Sequence, residues 1–239
     1  MGKETSKVKT KYIIIGSLLI GGVLLYMAKD KIIATISLSS DTIRKFVAAI
    51  KSFGITDPLI IAGIISEIYT ESKFVPRSET GYSNTSNARI RQIFGSYVSS
   101  LTEDQLTALK KDDVAFFNKV YGNRMGNSAT EGYKYRGRGL NQLTGKNNYT
   151  YYGKKIGIDL VNNPDLANNL DVAIKIAAAF FSEGLAQLNP TVRTTAEAAR
   201  AALQVNAGLG TNLNSEFFQS IINKQMSVID GILKTVKTL

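Results

Sequence analysis

The stretch Asp57-Pro58-Leu59-Ile60-Ile61-Ala62-Gly63-Ile64-Ile65-Ser66-Glu67-Ile68 constrains this chain more than any other. Proline suits the first position of a helix, where its missing N–H would have no partner anyway, and the aspartate before it can act as N-cap. Leu59, Ile61, Ile64, Ile65 and Ile68 then return at helical spacing. The helix is predicted to run to about Phe74, because Pro76 disfavours helical backbone at Val75. Glu71 falls in its last turn, and Glu79 follows after the break. Two carboxyls placed this way can face each other across a cleft, as the cutting of a glycosidic bond requires. A pair of solvated glutamates is the plainer reading of the same residues.

Composition removes several chemistries. The chain has no cysteine and no histidine. Disulfides and thiolate metal sites are excluded, as is Ser-His-Asp or Cys-His catalysis, and zinc would have only carboxylate ligands. Acid–base work near neutral pH then rests mainly on Asp, Glu, Lys or Tyr. The net charge of +10 favours a polyanionic partner: nucleic acid, an acidic membrane face or an anionic wall polymer.

The chain divides into a basic tail over 1–11, an uncharged stretch over 12–28, a connector over 29–39 and a main domain over 40–239. The uncharged stretch would span about 25 Å as a helix, slightly short of a hydrocarbon core of about 30 Å. Tyr12 and Tyr26 would sit at the two interfaces, with Lys11 and Lys29 snorkelling beyond them. A transmembrane helix is therefore expected at 12–28, in preference to a buried soluble helix. Tyr26 and Ala28 make a poor signal-cleavage site. The basic flank predicts a single-pass protein with its N-terminus inside and its main domain on the periplasmic or outer side. Ser17 and Gly21 form a small-xxx-small pair that favours self-association through this helix.

In the main domain, a helix is expected from Ser40 or Asp41 to near Gly54, with Ile43, Phe46, Val47 and Ile50 on one face. Gly81 to Ser100 reads as loop with one short helix. Thr102 and Gln105 resemble a capping box opening a helix to about Lys119. Tyr121 to Tyr152 is dense in glycine, aromatics and amides, and reads mostly as loop with short strands. No phosphate-loop pattern occurs in it. Amides and rings on loops suit a sugar polymer, and the same composition could line an RNA groove. Three helices follow: Asp171 to Leu185, expected to be the most buried, then Thr195 to Val205 and Ser215 to Leu239.

Several motifs occur in a telling order. They are Glu71-Ser72, Glu79 with Tyr82 and Ser83, Tyr121-Gly-Asn-Arg-Met-Gly-Asn127, Tyr135-Arg-Gly-Arg-Gly-Leu-Asn-Gln-Leu-Thr144, Asn148-Tyr149, Pro164-Asp165-Leu166 and Asn206-Ala-Gly208. Across 57–210 the chain resembles glycoside hydrolase family 19, in particular its short phage and bacterial endolysins. The resemblance implies a mainly α, lysozyme-like fold of two lobes around a central groove, and an inverting mechanism without cofactor or metal. It implies that Glu71 is the general acid and Glu79 the general base. Thr144 would help hold the attacking water, and Gln142, Asn148, Asn206 and Tyr135 would bind substrate. The chain departs from the family pattern at Thr70, where many relatives have histidine, and at Glu67, where glutamine is common. Glu67 lies one turn before Glu71 on the same face and is expected to point to solvent, the alternative being that its charge raises the proton affinity of Glu71. The Glu79-Thr80-Gly81-Tyr82 and Asn206-Ala207-Gly208 segments depart too.

The expected function is thus a membrane-anchored peptidoglycan hydrolase of muramidase type, serving phage lysis or penetration of the wall, in a host or virion membrane. Its partners would be peptidoglycan and, through 12–28, the lipid bilayer, with no nucleic acid. A chitinase, a lytic transglycosylase and a non-catalytic wall-binding membrane protein are the alternatives.

Overall fold

The computed structural model describes residues 40–239, so the expected membrane helix at 12–28 lies outside the described residues. The described residues form nine α-helices. No helix among them is long and apolar enough to cross a membrane. Pairing of extended backbone is confined to one isolated antiparallel bridge, Arg138 with Leu143. The mainly α architecture expected from the periodicity is what the described residues adopt.

Helix α1 (Ser40–Ser52) buries the predicted face of Ile43, Phe46, Val47 and Ile50. Helix α2 (Pro58–Ser72) starts as its sequence dictates: the Asp57 carboxylate accepts from the Leu59 N–H at 2.8 Å, with Pro58 in the first turn. Its apolar residues cover the whole circumference, and such a helix must be central. Ile61, Ile64 and Ile65 are fully buried, each contributing about 1.5–3 kcal/mol by leaving water. Residues from Ile61 to Tyr69 are buried without interruption, which makes α2, and not the alanine-rich α7, the most enclosed helix.

Helix α2 packs chiefly on α8 (Thr195–Ala207) and α9 (Glu216–Val236), while α7 (Leu170–Leu188) packs on α1 and α8. These five helices form the larger hydrophobic core together with Tyr135, Leu140, Leu143, Tyr149 and Tyr152. Gly63 is where α2 meets α8 most closely, since a Cβ there would lie 2.5 Å from the Ala198 carbonyl oxygen.

A second, aromatic core is built from α3 (Asn87–Phe94), α4 (Glu103–Leu109) and α5 (Asp113–Tyr121). Tyr82, Phe94, Phe116, Phe117 and Tyr121 meet there with ring centroids 5.0–6.2 Å apart. The capping box of Thr102 and Gln105 opens α4 as expected. The single helix predicted to about Lys119 is two helices, because the Asp112 carboxylate accepts from the Ala115 N–H and caps a fresh start.

The centre of the chain is less loop-like than its composition suggests, since helix α6 (Lys146–Ile156) occupies part of it. Gly145 offers no side chain to cap this helix. The caps come instead from Tyr121–Asn127: Asn127 Oδ1 accepts from the Lys146 N–H at 2.8 Å, and the Met125 carbonyl accepts from the Asn147 N–H at 2.9 Å.

Candidate active site

Glu71 stands half-exposed in the last turn of α2. The helix stops sooner than Pro76 alone would require. Lys73 and Phe74 both adopt the left-handed conformation, with φ of 53° and 60°. Two such residues in succession cost on the order of 1–3 kcal/mol each. Burial of the Phe74 ring against Phe46 and Tyr69, at centroid distances of 4.9 and 5.2 Å, offsets part of this. The Ser72 hydroxyl also accepts from the Phe74 N–H. This sharp exit sends the chain out as an extended strip, on which Glu79 lies.

The strip is held on the Tyr135–Thr144 segment. The Arg77 N–H donates to the Gly139 carbonyl at 3.4 Å, and the Glu79 N–H to the Gly137 carbonyl at 2.7 Å. Asn168 braces both partners from the 3-10 turn Pro164–Asn168, donating to Ser78 Oγ at 2.8 Å and accepting from the Gly139 N–H at 3.0 Å. Gly139 has φ +83°, and a Cβ there would stand 2.8 Å from the Ala167 carbonyl oxygen, so only glycine fits.

The Glu79 carboxylate is buried where the two cores meet. It accepts from Tyr82 Oη at 2.9 Å, from Tyr121 Oη at 3.0 and 3.1 Å, and from the Gly137 N–H at 3.2 Å. Burial pushes its proton affinity above the ordinary carboxylate range. The hydrogen bonds from Tyr82, Gly137 and Tyr121, and the charge of Arg136, pull it back towards the ionised form. Both tyrosines are held well above their usual range, by burial first and then by the carboxylate, so they remain donors.

Three oxygens converge beside Gly137. A Cβ at that position would lie 2.8 Å from Gln142 Oε1, 3.2 Å from Glu79 Oε2 and 3.3 Å from Thr144 Oγ1. Thr144 spends its proton on the Gln142 carbonyl at 2.8 Å, which leaves lone pairs on its oxygen to accept. The bare glycine therefore lets three polar oxygens gather beside its backbone, one of them from a carboxylate.

The remaining expected residues have less uniform positions. Gln142, itself left-handed with φ 51°, donates from Nε2 to the Arg77 and Gly139 carbonyls, and so pins the strip that carries Glu79. Asn148 is half-buried and donates to the Thr144 carbonyl at 2.8 Å. Asn206 is half-buried and donates to Glu67 Oε1 at 2.6 Å. Tyr135 requires a correction: it is fully buried in the larger core, with its hydroxyl on the Val161 carbonyl at 3.0 Å, so it cannot touch a substrate. Arg138, next to it, is buried between Asp165, the Lys134 carbonyl and the Tyr149 hydroxyl, and stiffens the segment.

Tyr82 and Tyr121 appear in the sequence only as motif letters, and their roles as Glu79 donors were not legible there. Asn168 carried no signal at all. Among the described residues no three acidic side chains converge as metal ligands. A hollow of about 320 Å³ beside α6, lined by Gly153, Lys154, Ile158 and Leu160 among others, includes neither glutamate. Its wall is mostly apolar, and it has none of the convergent polar atoms found at Glu79.

Comparison with known proteins places part of this chain. The family described as chitinase class I matches residues 101–210. A glycosyl hydrolase family 19 domain-containing protein of Haemophilus influenzae is 41% identical over 98 residues, which cover 38% of this chain and 48% of that protein. An acidic endochitinase of Petunia hybrida is 51% identical over 61 residues, 25% of this chain and 22% of the other. The chain thus spans about half or less of the length of these relatives. Chitinase C from Streptomyces griseus superposes over 81% of this chain and 69% of its own, with a TM-score of 0.46 and 19% identity. The matched region holds Tyr121, Gly137, Gln142, Thr144, Asn148 and Asn206, while Glu71 and Glu79 precede it.

Proposed function

We propose that this chain is a glycoside hydrolase of family 19, whose model matches residues 101–210, and that it hydrolyses β-1,4 glycosidic bonds of peptidoglycan by an inverting mechanism. The observation that carries this reading is the Glu79 carboxylate, buried among three donor groups with Thr144 Oγ1 and Gln142 Oε1 gathered beside the same glycine. A base that activates water needs such a place: desolvated enough to be basic, and donor-rich enough to be charged. Glu71, half-exposed at the end of α2, can reach a polymer lying over the helix terminus. In the proposed reaction Glu71 gives its proton to the bridging oxygen. Glu79 takes a proton from water, and the water oxygen attacks the anomeric carbon from the opposite face.

The net charge of +10 supports an anionic wall polymer as substrate. The names of the plant relatives favour chitin as the second reading. Mass analysis of products from purified peptidoglycan and from an N-acetylglucosamine hexamer separates these readings. Reducing muramyl ends mark a muramidase, anhydro-muramyl ends a transglycosylase, and cleavage of the hexamer alone a chitinase. Glu71→Gln is expected to abolish release while leaving the thermal midpoint within a few degrees; turnover like the wild type's would refute the assignment. A wild-type protein that bound sacculi without cutting them would mark a wall-binding protein.

The proposal includes anchoring by residues 12–28 with the enzyme facing the wall, in a phage lysis or wall-penetration role. Its support is the uncharged stretch and its basic flank. Deleting residues 1–29 should move the protein from the membrane to the soluble fraction, and continued sedimentation with membranes would end the anchor reading.

A further inference from the structure

Glu67 is a fully buried carboxyl that the mechanism above leaves unused. Its sequence suggested a side chain in solvent. The structure instead places it in the middle of α2, one helical turn before Glu71 and on the same face. Two amides from two other helices hold it: Asn206 Nδ2 of α8 donates to Oε1 at 2.6 Å, and Gln225 Nε2 of α9 donates to Oε2 at 2.5 Å. Gln225 is fully buried and lies 3.3 Å from the Ser66 hydroxyl, whose proton goes chiefly to the Gly63 carbonyl at 2.8 Å, so this amide is able to turn and accept from a protonated Glu67. Among the described residues no ion pair to Glu67 is formed. Its neighbours from α8 and α9 are uncharged amides, and the one charge acting on it is that of Glu71.

We propose that Glu67 is the proton reserve of Glu71, a positioning residue that holds a proton inside the fold and yields it to Glu71 when a sugar chain covers the end of α2. The inference rests on the glycosidase reading given above. The transfer conserves charge: the Glu67 carboxyl loses its proton and becomes a carboxylate, and the Glu71 carboxylate becomes a carboxyl.

In the free protein Glu71 is the more exposed of the two, so water stabilises a charge there, and Glu67 keeps the proton. Burial, with repulsion from Glu71 next, raises Glu67 to about 8. A bound polymer removes water from Glu71 and disfavours its charge. The negative charge then moves to Glu67, where the Asn206 and Gln225 amides are placed to donate to both oxygens. Turnover leaves both carboxyls ionised; Glu67 then takes a new proton from solvent, in balance with the one that Glu79 took from water and releases, before the next transfer.

The test uses the full chain and two readouts. In carboxyl-labelled glutamate NMR, the wild type should show a step near 8 that is absent in Glu67→Gln and moves to lower pH in Glu71→Gln, where the repelling charge is gone. In reducing-end release from purified peptidoglycan, the alkaline limb of kcat in Glu67→Gln should move to lower pH by about one unit or more. That is about a tenfold loss at the wild type's limb, with the acid-side kcat within about threefold. A uniform drop in kcat with an unmoved limb would show a merely structural Glu67 and overturn the proposal. So would a Glu67 step indifferent to Glu71→Gln, a comparison that stands even if Glu67→Gln does not fold. If the wild type cuts neither peptidoglycan nor the hexamer, the glycosidase reading fails, and the coupled titration still decides whether Glu67 and Glu71 share a proton.

Discussion

At the scale of single residues, Glu79 shows how one position reconciles two opposed demands. Burial alone would keep it protonated and useless as a base. The Tyr82 and Tyr121 hydroxyls and the Gly137 N–H favour its charged form. Hydrogen bonds to a charged group are worth about 1.5–3 kcal/mol. Tyr82→Phe removes one of them without changing the packing of the ring, so the Glu79 proton affinity should rise. Since the base acts ionised, the acidic limb of kcat/KM is expected to move to higher pH by about one unit, while the alkaline limb stays. An acidic limb unchanged in Tyr82→Phe and in Tyr121→Phe would mean that Glu79 is not the base. Gly137→Ala tests whether water is activated beside Gly137. The added methyl would stand 2.8 Å from Gln142 Oε1 and 3.2 Å from Glu79 Oε2. Turnover should fall by about a hundredfold or more while polymer binding in a sedimentation assay persists. Near-normal kcat would show that no water is held there.

At the scale of elements, what was legible in the sequence was what is encoded locally. Asp57-Pro58 and the Thr102–Gln105 box each open a helix where predicted, because cap and helix are neighbours in the chain. Helix α6 escaped because its caps come from Asn127 and Met125, about twenty residues upstream, and its own Lys146–Ile156 run lacks a broad apolar stripe. The break before α5 escaped because Asp112 resembles any polar helix residue until its carboxylate is seen on Ala115. For the site, the glutamates could be proposed from spacing and resemblance. Their surroundings could not, since Glu79's donors lie up to 58 residues away. The fate of Glu67 depends on Gln225, 158 residues away. Close approach between elements is equally invisible in sequence. By intrinsic propensity Gly63→Ala should stabilise α2 by about 1 kcal/mol. Against α8 the new methyl meets the Ala198 carbonyl at 2.5 Å, and backbone cannot swing away as a side chain can. Overpacking of this kind costs about 1–3 kcal/mol. Gly63→Ala is therefore expected to lower the thermal midpoint by several degrees; a rise would mean that α2 and α8 are not in contact at this point.

At the scale of the whole molecule, buried carboxyls and the absence of histidine together set how stability follows pH. With no histidine, few groups titrate between about pH 5 and 8. Glu67 is raised from 4.5 to about 8, and burial raises Glu79 in the same direction. Below about pH 4.5 folded and unfolded chains both carry the Glu67 proton, and its ionisation costs nothing. Between 4.5 and 8 the unfolded chain releases that proton while the folded chain retains it. Stability must then fall as pH rises, by up to about 1.4 kcal/mol per unit from this group. Glu131 acts in the opposite sense. Lys146 and the Ser128 N–H hold it down at about 2, so what it contributes is present above its ordinary range and is lost as pH falls. Its exposure to solvent screening keeps that contribution small. The net expectation is a protein most stable in mildly acidic solution. Urea unfolding at pH 5, 6, 7 and 8 should show a midpoint that declines steadily, with the slope much reduced in Glu67→Gln and the remainder due to Glu79. A midpoint flat or rising over that range would mean that Glu67 is ionised inside the fold. The Asn206 and Gln225 amides would then be stabilising a permanent buried charge, with no proton held there to give to Glu71.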